Sequence, residues 1–138
     1  MYQILLTSFV AGGLAQLSKL LVKSNRIKIS WRSIFSYAGM PSSHAAFVVS
    51  LATIIGLVQG FASPLFAVCF IFGLLVIRDA LGVRRYLGQH GKIINILVKD
   101  LKEDSMLDEP YPQLLEKIGH TPAQIIAGAA LGIFIGLA

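Results

Sequence analysis

The sequence predicts an all-α protein, an integral membrane helical bundle of four transmembrane helices with an amphipathic or fifth helix, forming a single domain over residues 1–138. Three observations predict it. Hydrophobic residues make up 55% of the chain and charged residues 14%, with a mean hydropathy of +0.72, whereas a soluble domain carries about 25% charged residues. Four segments are apolar over nearly the length that a helix needs to cross hydrocarbon. All 12 Lys and Arg residues fall in the two connections that such spans would place on one side of a bilayer.

The first span covers residues 3–22, QILLTSFVAGGLAQLSKLLV. No Lys or Arg precedes it, so it lacks the basic start of a secretory signal and reads as a retained helix. The second covers 43–59. The third, 63–77, borrows Arg78 to Leu81 to approach the roughly 17–25 residues that a crossing requires. The fourth covers 121–138, where the Gly and Ala residues of GAALGIFIG predict close helix packing. Between the last two, Tyr86, Leu87, His90, Ile93, Ile94, Leu97, Val98 and Leu101 recur at helical spacing. Gln89, Lys92, Asn95, Lys99 and Lys102 face the other way, which predicts an amphipathic helix. The acidic EDSMLDEPYP reads as a solvated loop, and QLLEKIG as a helical turn or two ending at Gly119. Four buried core helices in a water-soluble protein of this length would leave too little polar sequence to cover them.

Charge then sets the expected topology. Lys19, Lys23, Arg26, Lys28 and Arg32 lie in the first connection, the other seven basic residues lie between Arg78 and Lys117, and the turn at Gly60 to Ser63 has none. The positive-inside rule makes that face cytoplasmic and puts both termini outside, in a bacterial inner membrane or an organelle membrane. The net charge of +5 is accounted for by this asymmetry, so no nucleic-acid partner is implied. The bilayer is the expected partner, and the lipid-facing surface leaves room for a homodimer. The single cysteine, Cys69, sits in an apolar run, which excludes an intramolecular disulfide and a cysteine-based metal site.

The chemistry-bearing residues gather at two helix starts. Span two is entered through Gly39-Met40-Pro41-Ser42-Ser43-His44. Span four is entered through Gly119-His120-Thr121-Pro122-Ala123-Gln124, where Thr121 and Gln124 have the spacing of a capping box. In the predicted topology these helices run in the same direction and aim unpaired N–H groups and partial positive charge at one face, an anion-binding arrangement. Each start bears a histidine, with Lys19, Arg26, Arg32, Arg84 and Arg85 at the same level. Imidazole attacks phosphorus or passes a proton near neutral pH, and guanidinium groups hold phosphate oxygens in pairs. Asp79 reads as a local ion pair with Arg78 or as a functional group near membrane depth. Neither helix mouth carries Asp or Glu, so no metal or other cofactor is expected.

At these residues the sequence resembles the divergent PAP2 family, short membrane relatives of the type 2 phosphatidic acid phosphatases and vanadium haloperoxidases. The resemblance runs through AQLSKLL, AGMPSSHAAFVVSLAT, IRDALGVRRYLG and IGHTPAQIIAGAALG, nearly the whole chain. The wider superfamily uses three signatures: K-x6-R-P, P-S-G-H and S-R-x5-H-x3-D. Lys19 and Arg26 have the spacing of the first, with Ile27 in place of proline. Pro41-Ser42-Ser43-His44 matches the second with Ser43 for glycine, which implies that His44 is the general acid. His120 matches the histidine of the third and is the implied nucleophile. Gln124 stands where the superfamily has the Asp that orients it. No arginine precedes His120 at the required spacing, so Arg84 or Arg85 would arrive from elsewhere in the fold. A rival alignment pairs Arg84 with His90, but it meets Ile94 where the acid should be.

The resemblance implies a phosphatase-like protein, a phosphoric monoester or diphosphate hydrolase acting on a lipid-linked phosphate or pyrophosphate at a cytoplasm-facing pocket. His120, His44 and Gln124 would be its catalytic residues, and Lys19, Arg26, Arg84, Arg85, Ser42 and Ser43 its phosphate-binding ones. Replacing a carboxylate by an amide beside a catalytic histidine lowers turnover by about 10⁴ in a Ser-His-Asp triad. Gln124 therefore keeps a second expectation open: a non-catalytic membrane protein that binds or transports phosphate or anionic lipid headgroups.

Overall fold

The computed structural model describes residues 2–22, 39–103, 111–116 and 118–138. Among these the chain is all-helical: α1 Tyr2–Ser18, α2 Ser43–Gln59, α3 Pro64–Leu81, α4 Val83–Glu103 and α5 Pro122–Leu137. Arg26 and Arg32, with most of the first connection and most of the acidic loop, lie outside the described residues.

The helix starts are fixed by local chemistry. The Ser42, Ser63 and Thr121 side chains cap α2, α3 and α5, accepting from the backbone N–H groups of Ala45, Phe66 and Gln124, and Pro64 and Pro122 follow their caps directly. The third apolar segment continues through Arg78 to Leu81 as expected, and Gly82 separates it from α4. Two elements differ from expectation. Helix α1 stops at Ser18 rather than continuing to residue 22, because its last turn tightens into bonds from Leu20 N–H to the Leu17 carbonyl and from Leu21 N–H to the Ser18 carbonyl. The described residues of QLLEKIG form no helix. The Asn95 side chain of α4 takes both the N–H and the carbonyl of Leu114, each at 2.9 Å, and draws this segment out as a strap. Gly88 and Gly91 let it lie close, since a Cβ at either would collide with the Glu116 or Leu115 carbonyl.

Helix α2 is the centre of the bundle, packed by α1, α3 and α5. Most of its buried neighbours are small: Ser8, Ala11 and Ala15 on α1, and Gly128, Gly132 and Gly136 on α5, with Ile125 the larger one. The glycines recur every fourth residue and meet Ser42, Ala46 and Thr53 in rising order, so α2 and α5 run parallel with their backbones close together. The buried hydroxyls of Ser8 and Ser50 donate to carbonyls of their own helices, Ile4 and Phe47, so neither is left bare in the core.

The large apolar side chains point outward instead. Ile126 and Phe134 of α5 are 68% and 69% exposed, and Leu6, Val68, Ile71 and Leu75 are likewise exposed. A core mostly of Ala, Gly and Ser, with Val48, Ile55 and Ile125, inside a coat of Leu, Ile and Phe is the reverse of a water-soluble domain and suits a hydrocarbon surround. By length and composition the helical run Pro64–Leu101 is able to cross a membrane, and α2 and α5 are shorter apolar helices.

Substituting Gly132 by Ala tests this packing. The added methyl would stand 2.6 Å from the Ala46 carbonyl oxygen, which lies on backbone that cannot swing aside, and overpacking of this kind costs about 1–3 kcal/mol. Gly13→Ala, with nothing within 4 Å of its Cβ, is the control. In detergent, Gly132→Ala should lower the thermal midpoint while Gly13→Ala leaves it unchanged or raised, and equal midpoints would contradict the close approach of α2 and α5.

Candidate functional site

The N-termini of α2 and α5 are joined directly. Ser42 N–H donates to the Gln124 carbonyl at 3.0 Å, and His120 N–H donates to the Ala80 carbonyl at the end of α3, also at 3.0 Å. Gly119, at φ +104, makes the turn that brings the strap into α5, and its backbone rests on that of Arg84 and Arg85. Three helix ends and the start of α4 thus converge.

His44, in the first turn of α2, and His120, just before α5, have ring centroids 6.0 Å apart, inclined at 59°. Gln124 Oε1 accepts from Thr121 N–H at 2.9 Å and lies 3.2 Å from His120 Nδ1. An oxygen only accepts, so Nδ1 carries the proton and Nε2 the lone pair. On the other ring, Arg84 Nη1 lies 3.5 Å from His44 Nε2. Arginine only donates, which leaves the proton of a neutral His44 on Nδ1. Among the described residues, His44 Nδ1 and His120 Nε2 are both buried with no hydrogen-bond partner. One is a donor and the other an acceptor, and each would normally cost about 1–3 kcal/mol left unmet.

Cationic groups surround the pair. Lys19 is buried on the helical face that continues Ser8, Ala11 and Ala15. Its Nζ donates to Gln16 Oε1 at 2.9 Å and to Ser43 Oγ at 3.4 Å. Arg84 is held by Asp79, whose Oδ2 lies 2.5 Å from its Nε. Burial pushes the His120 pKa down from 6.5 to about 4; the hydrogen bond to Gln124 opposes this, while Lys19, His44 and Arg84 add to it. The ring is therefore neutral at physiological pH.

Of the residues expected from the sequence, His44, His120, Gln124, Lys19, Ser43 and Arg84 come together. Ser42 is present but occupied, its hydroxyl capping Ala45 and its N–H bonded to Gln124. Arg85 points outward and is exposed, so Arg84 is the arginine that reaches the imidazoles. His90 is exposed on α4 and takes no part in the pair. Asp79 pairs with Arg84 across the Gly82 break, correcting the expected partner Arg78. Gln124, expected as a cap or as a partner of His120, is both, because its single oxygen lies between the two donors. Sequence reasoning missed Gln16 as a partner of Lys19. The signal was available, since residues 16 and 19 are one helical turn apart.

Comparison with known proteins agrees with this architecture. The model of the divergent PAP2 family matches residues 1–135. The chain belongs to the divergent PAP2 family. It is also 37% identical over 119 residues to the uncharacterized membrane protein YuiD of Bacillus subtilis (strain 168), an alignment covering 80% of this chain and 75% of that one. No solved structure matches. The fold and the family together describe a membrane protein whose helix ends bear the PAP2-like histidines.

The lowered His120 pKa has a measurable consequence. The folded state binds fewer protons than the unfolded state between pH 6.5 and about 4, so stability is full above 6.5 and falls as the pH drops toward 4. Replacing His120 by Gln should flatten that decline in a detergent unfolding series. The His120 ring should stay neutral, with its proton on Nδ1, in nitrogen NMR at pH 6. A ring that titrates near 6.5 would contradict its burial among cations.

Proposed function

We propose that this divergent PAP2 protein is a membrane phosphatase acting on a lipid-linked phosphate or pyrophosphate, with His120 as nucleophile and His44 as general acid. One observation carries the reading: two adjacent imidazoles, His120 buried and His44 half-buried, leave opposite valences unmet on buried atoms, a donor on His44 Nδ1 and a lone pair on His120 Nε2. A site that only binds an anion is built from donors. A buried bare lone pair beside Lys19 and Arg84 suits an electrophilic phosphorus held between cations.

The arriving phosphate replaces His44 as the acceptor of Arg84 Nη1, and the freed Nε2 takes the acidic proton that the substrate's monoanionic phosphate brings. His120 Nε2 attacks phosphorus in line, forming an N–P bond as the bond to the leaving oxygen breaks, and the His44 imidazolium gives that oxygen its Nδ1 proton. Water then attacks the phosphohistidine, its proton passes to His44 Nδ1, and inorganic phosphate departs. Lys19 and Arg84 neutralise the charge on the phosphoryl oxygens, and Asp79 keeps Arg84 aimed. Gln124 orients His120 but brings no negative charge to the cationic phosphohistidine, which makes for modest turnover. Arg26 belongs to the same proposal through its spacing from Lys19. The site would face the cytoplasm with both termini outside, as the charge asymmetry implies.

Purified protein should release phosphate from a lipid monophosphate or diphosphate. His120→Ala should reduce this to background, and His44→Ala should reduce it by about 10²–10⁴-fold. Vanadate binding by a wild-type protein that turns nothing over would overturn the catalytic assignment in favour of headgroup binding, the role that the neutral Gln124 favours. Gln124→Glu offers a gain-of-function check. A carboxylate oxygen accepts from both Thr121 N–H and His120 Nδ1–H and supplies the missing charge, so turnover should rise, and unchanged or lower turnover would count against the orienting role.

A further inference from the structure

A cleft of about 440 Å³ opens between α1, α2 and α3, lined by Gly12 and Gln16, by Ser43, His44, Phe47 and Val48, and by Phe72 and Val76. That volume falls within the roughly 300–1,000 Å³ of small-molecule sites. Its polarity is graded along the helix axes. On α1, Gln16 lies toward the site and Gly12 one turn deeper. On α2, Ser43 and His44 lie toward the site, with Phe47 and Val48 one turn deeper. Helix α3 runs the other way, because Ala80 at its end meets His120, so Phe72 is its deep residue. Helices α1 and α2 each change from polar to apolar over the same turn, and α3 faces them with apolar residues only, Val76 toward the site and Phe72 deeper.

The polar end carries the cation. Lys19 Nζ rests on Gln16 Oε1 and Ser43 Oγ, both residues of the cleft wall. The outer side is open, since α1 and α3 each pack on α2 but not closely on one another. A ligand complementary to this shape has an anionic head at Lys19 and His44 and an apolar tail running down between α1 and α3. Gly12 keeps the slot clear. Its missing Cβ would stand 3.1 Å from the Phe47 ring, and a longer side chain there would project into the cleft.

We propose that this cleft holds the hydrocarbon chain of the phosphate-bearing lipid, which enters sideways from the bilayer between α1 and α3 with its phosphate at His44 and Lys19. The inference rests on the phosphate-site reading above and adds to it where the rest of the substrate lies.

Competition against vanadate in detergent separates the two claims without requiring turnover. Hexadecyl phosphate should displace vanadate from the wild-type protein at least about tenfold more tightly than butyl phosphate. Gly12→Leu and Val76→Trp, which fill the slot from opposite walls, should each bring hexadecyl phosphate to the level of butyl phosphate, with vanadate affinity within about twofold of wild type. Vanadate affinity also reports that each variant has folded. A long-chain advantage that survives in both variants places the tail elsewhere and overturns the cleft assignment, leaving the phosphate site standing. Equal competition by the two alkyl phosphates in the wild type does the same. Absence of vanadate binding to the wild type overturns the phosphate reading and the cleft assignment with it.

Discussion

Helices α2 and α5 lie nearly backbone to backbone. Gly128, Gly132 and Gly136 present no side chain to α2, and a bond from Ser42 N–H to the Gln124 carbonyl ties the two N-termini. The rest of the structure follows from this contact. Hydrocarbon gives helices no hydrophobic reason to associate, so what holds them is van der Waals contact and hydrogen bonding, both of which need close approach. Once α2 and α5 are parallel and in register, their first turns stand side by side. His44 and His120 then lie 6.0 Å apart because each sits within a residue or two of its own cap.

The electrostatics of the site follow from the same convergence. Burial first, and then the nearby charges of Lys19 and Arg84, hold His120 neutral. Lys19 can be buried because Gln16 and Ser43 meet its ammonium, and the half-exposed Arg84 is held by Asp79 at its guanidinium. The described part of the site is thus rich in donors, with one acid engaged by Arg84, and its unsatisfied atoms belong to the histidines. That imbalance suits a ligand that brings both negative charge and an electrophilic centre.

A strap, rather than a helix, is formed by the described residues that lead into His120, 111–116 and 118–119. The residues QLLE have no helix-breaking composition, yet their backbone from Leu114 to Glu116 is held by the Asn95 amide and by the bare backbones of Gly88 and Gly91. Here a long-range partner outcompetes local propensity. The same interaction gives a structural use to glycines that fit no phosphate-loop pattern in the sequence. It also connects the surface helix to His120, because Gly119 at the end of the strap lies on the backbone of Arg84 and Arg85.

Much of this was legible in the order of residues alone. Apolar runs, serine and threonine caps and prolines at first helical positions act over one turn of chain, and they marked the starts of α2, α3 and α5 correctly. The two histidines were legible for the same reason, since each lies beside a cap and in a motif of neighbouring residues. What the order of residues left open were choices between distant partners. Arg84 and Arg85 are adjacent and chemically identical, and only the way α4 leaves Gly82 decides that Arg84 turns toward His44 and Asp79 while Arg85 faces outward. The strap, the early end of α1 and the cleft between α1 and α3 were likewise decided by packing. Local signals set where helices begin, because hydrogen bonds at a cap close within three or four residues. Contacts across tens of residues depend on the crossing of whole helices, which no short stretch of sequence encodes.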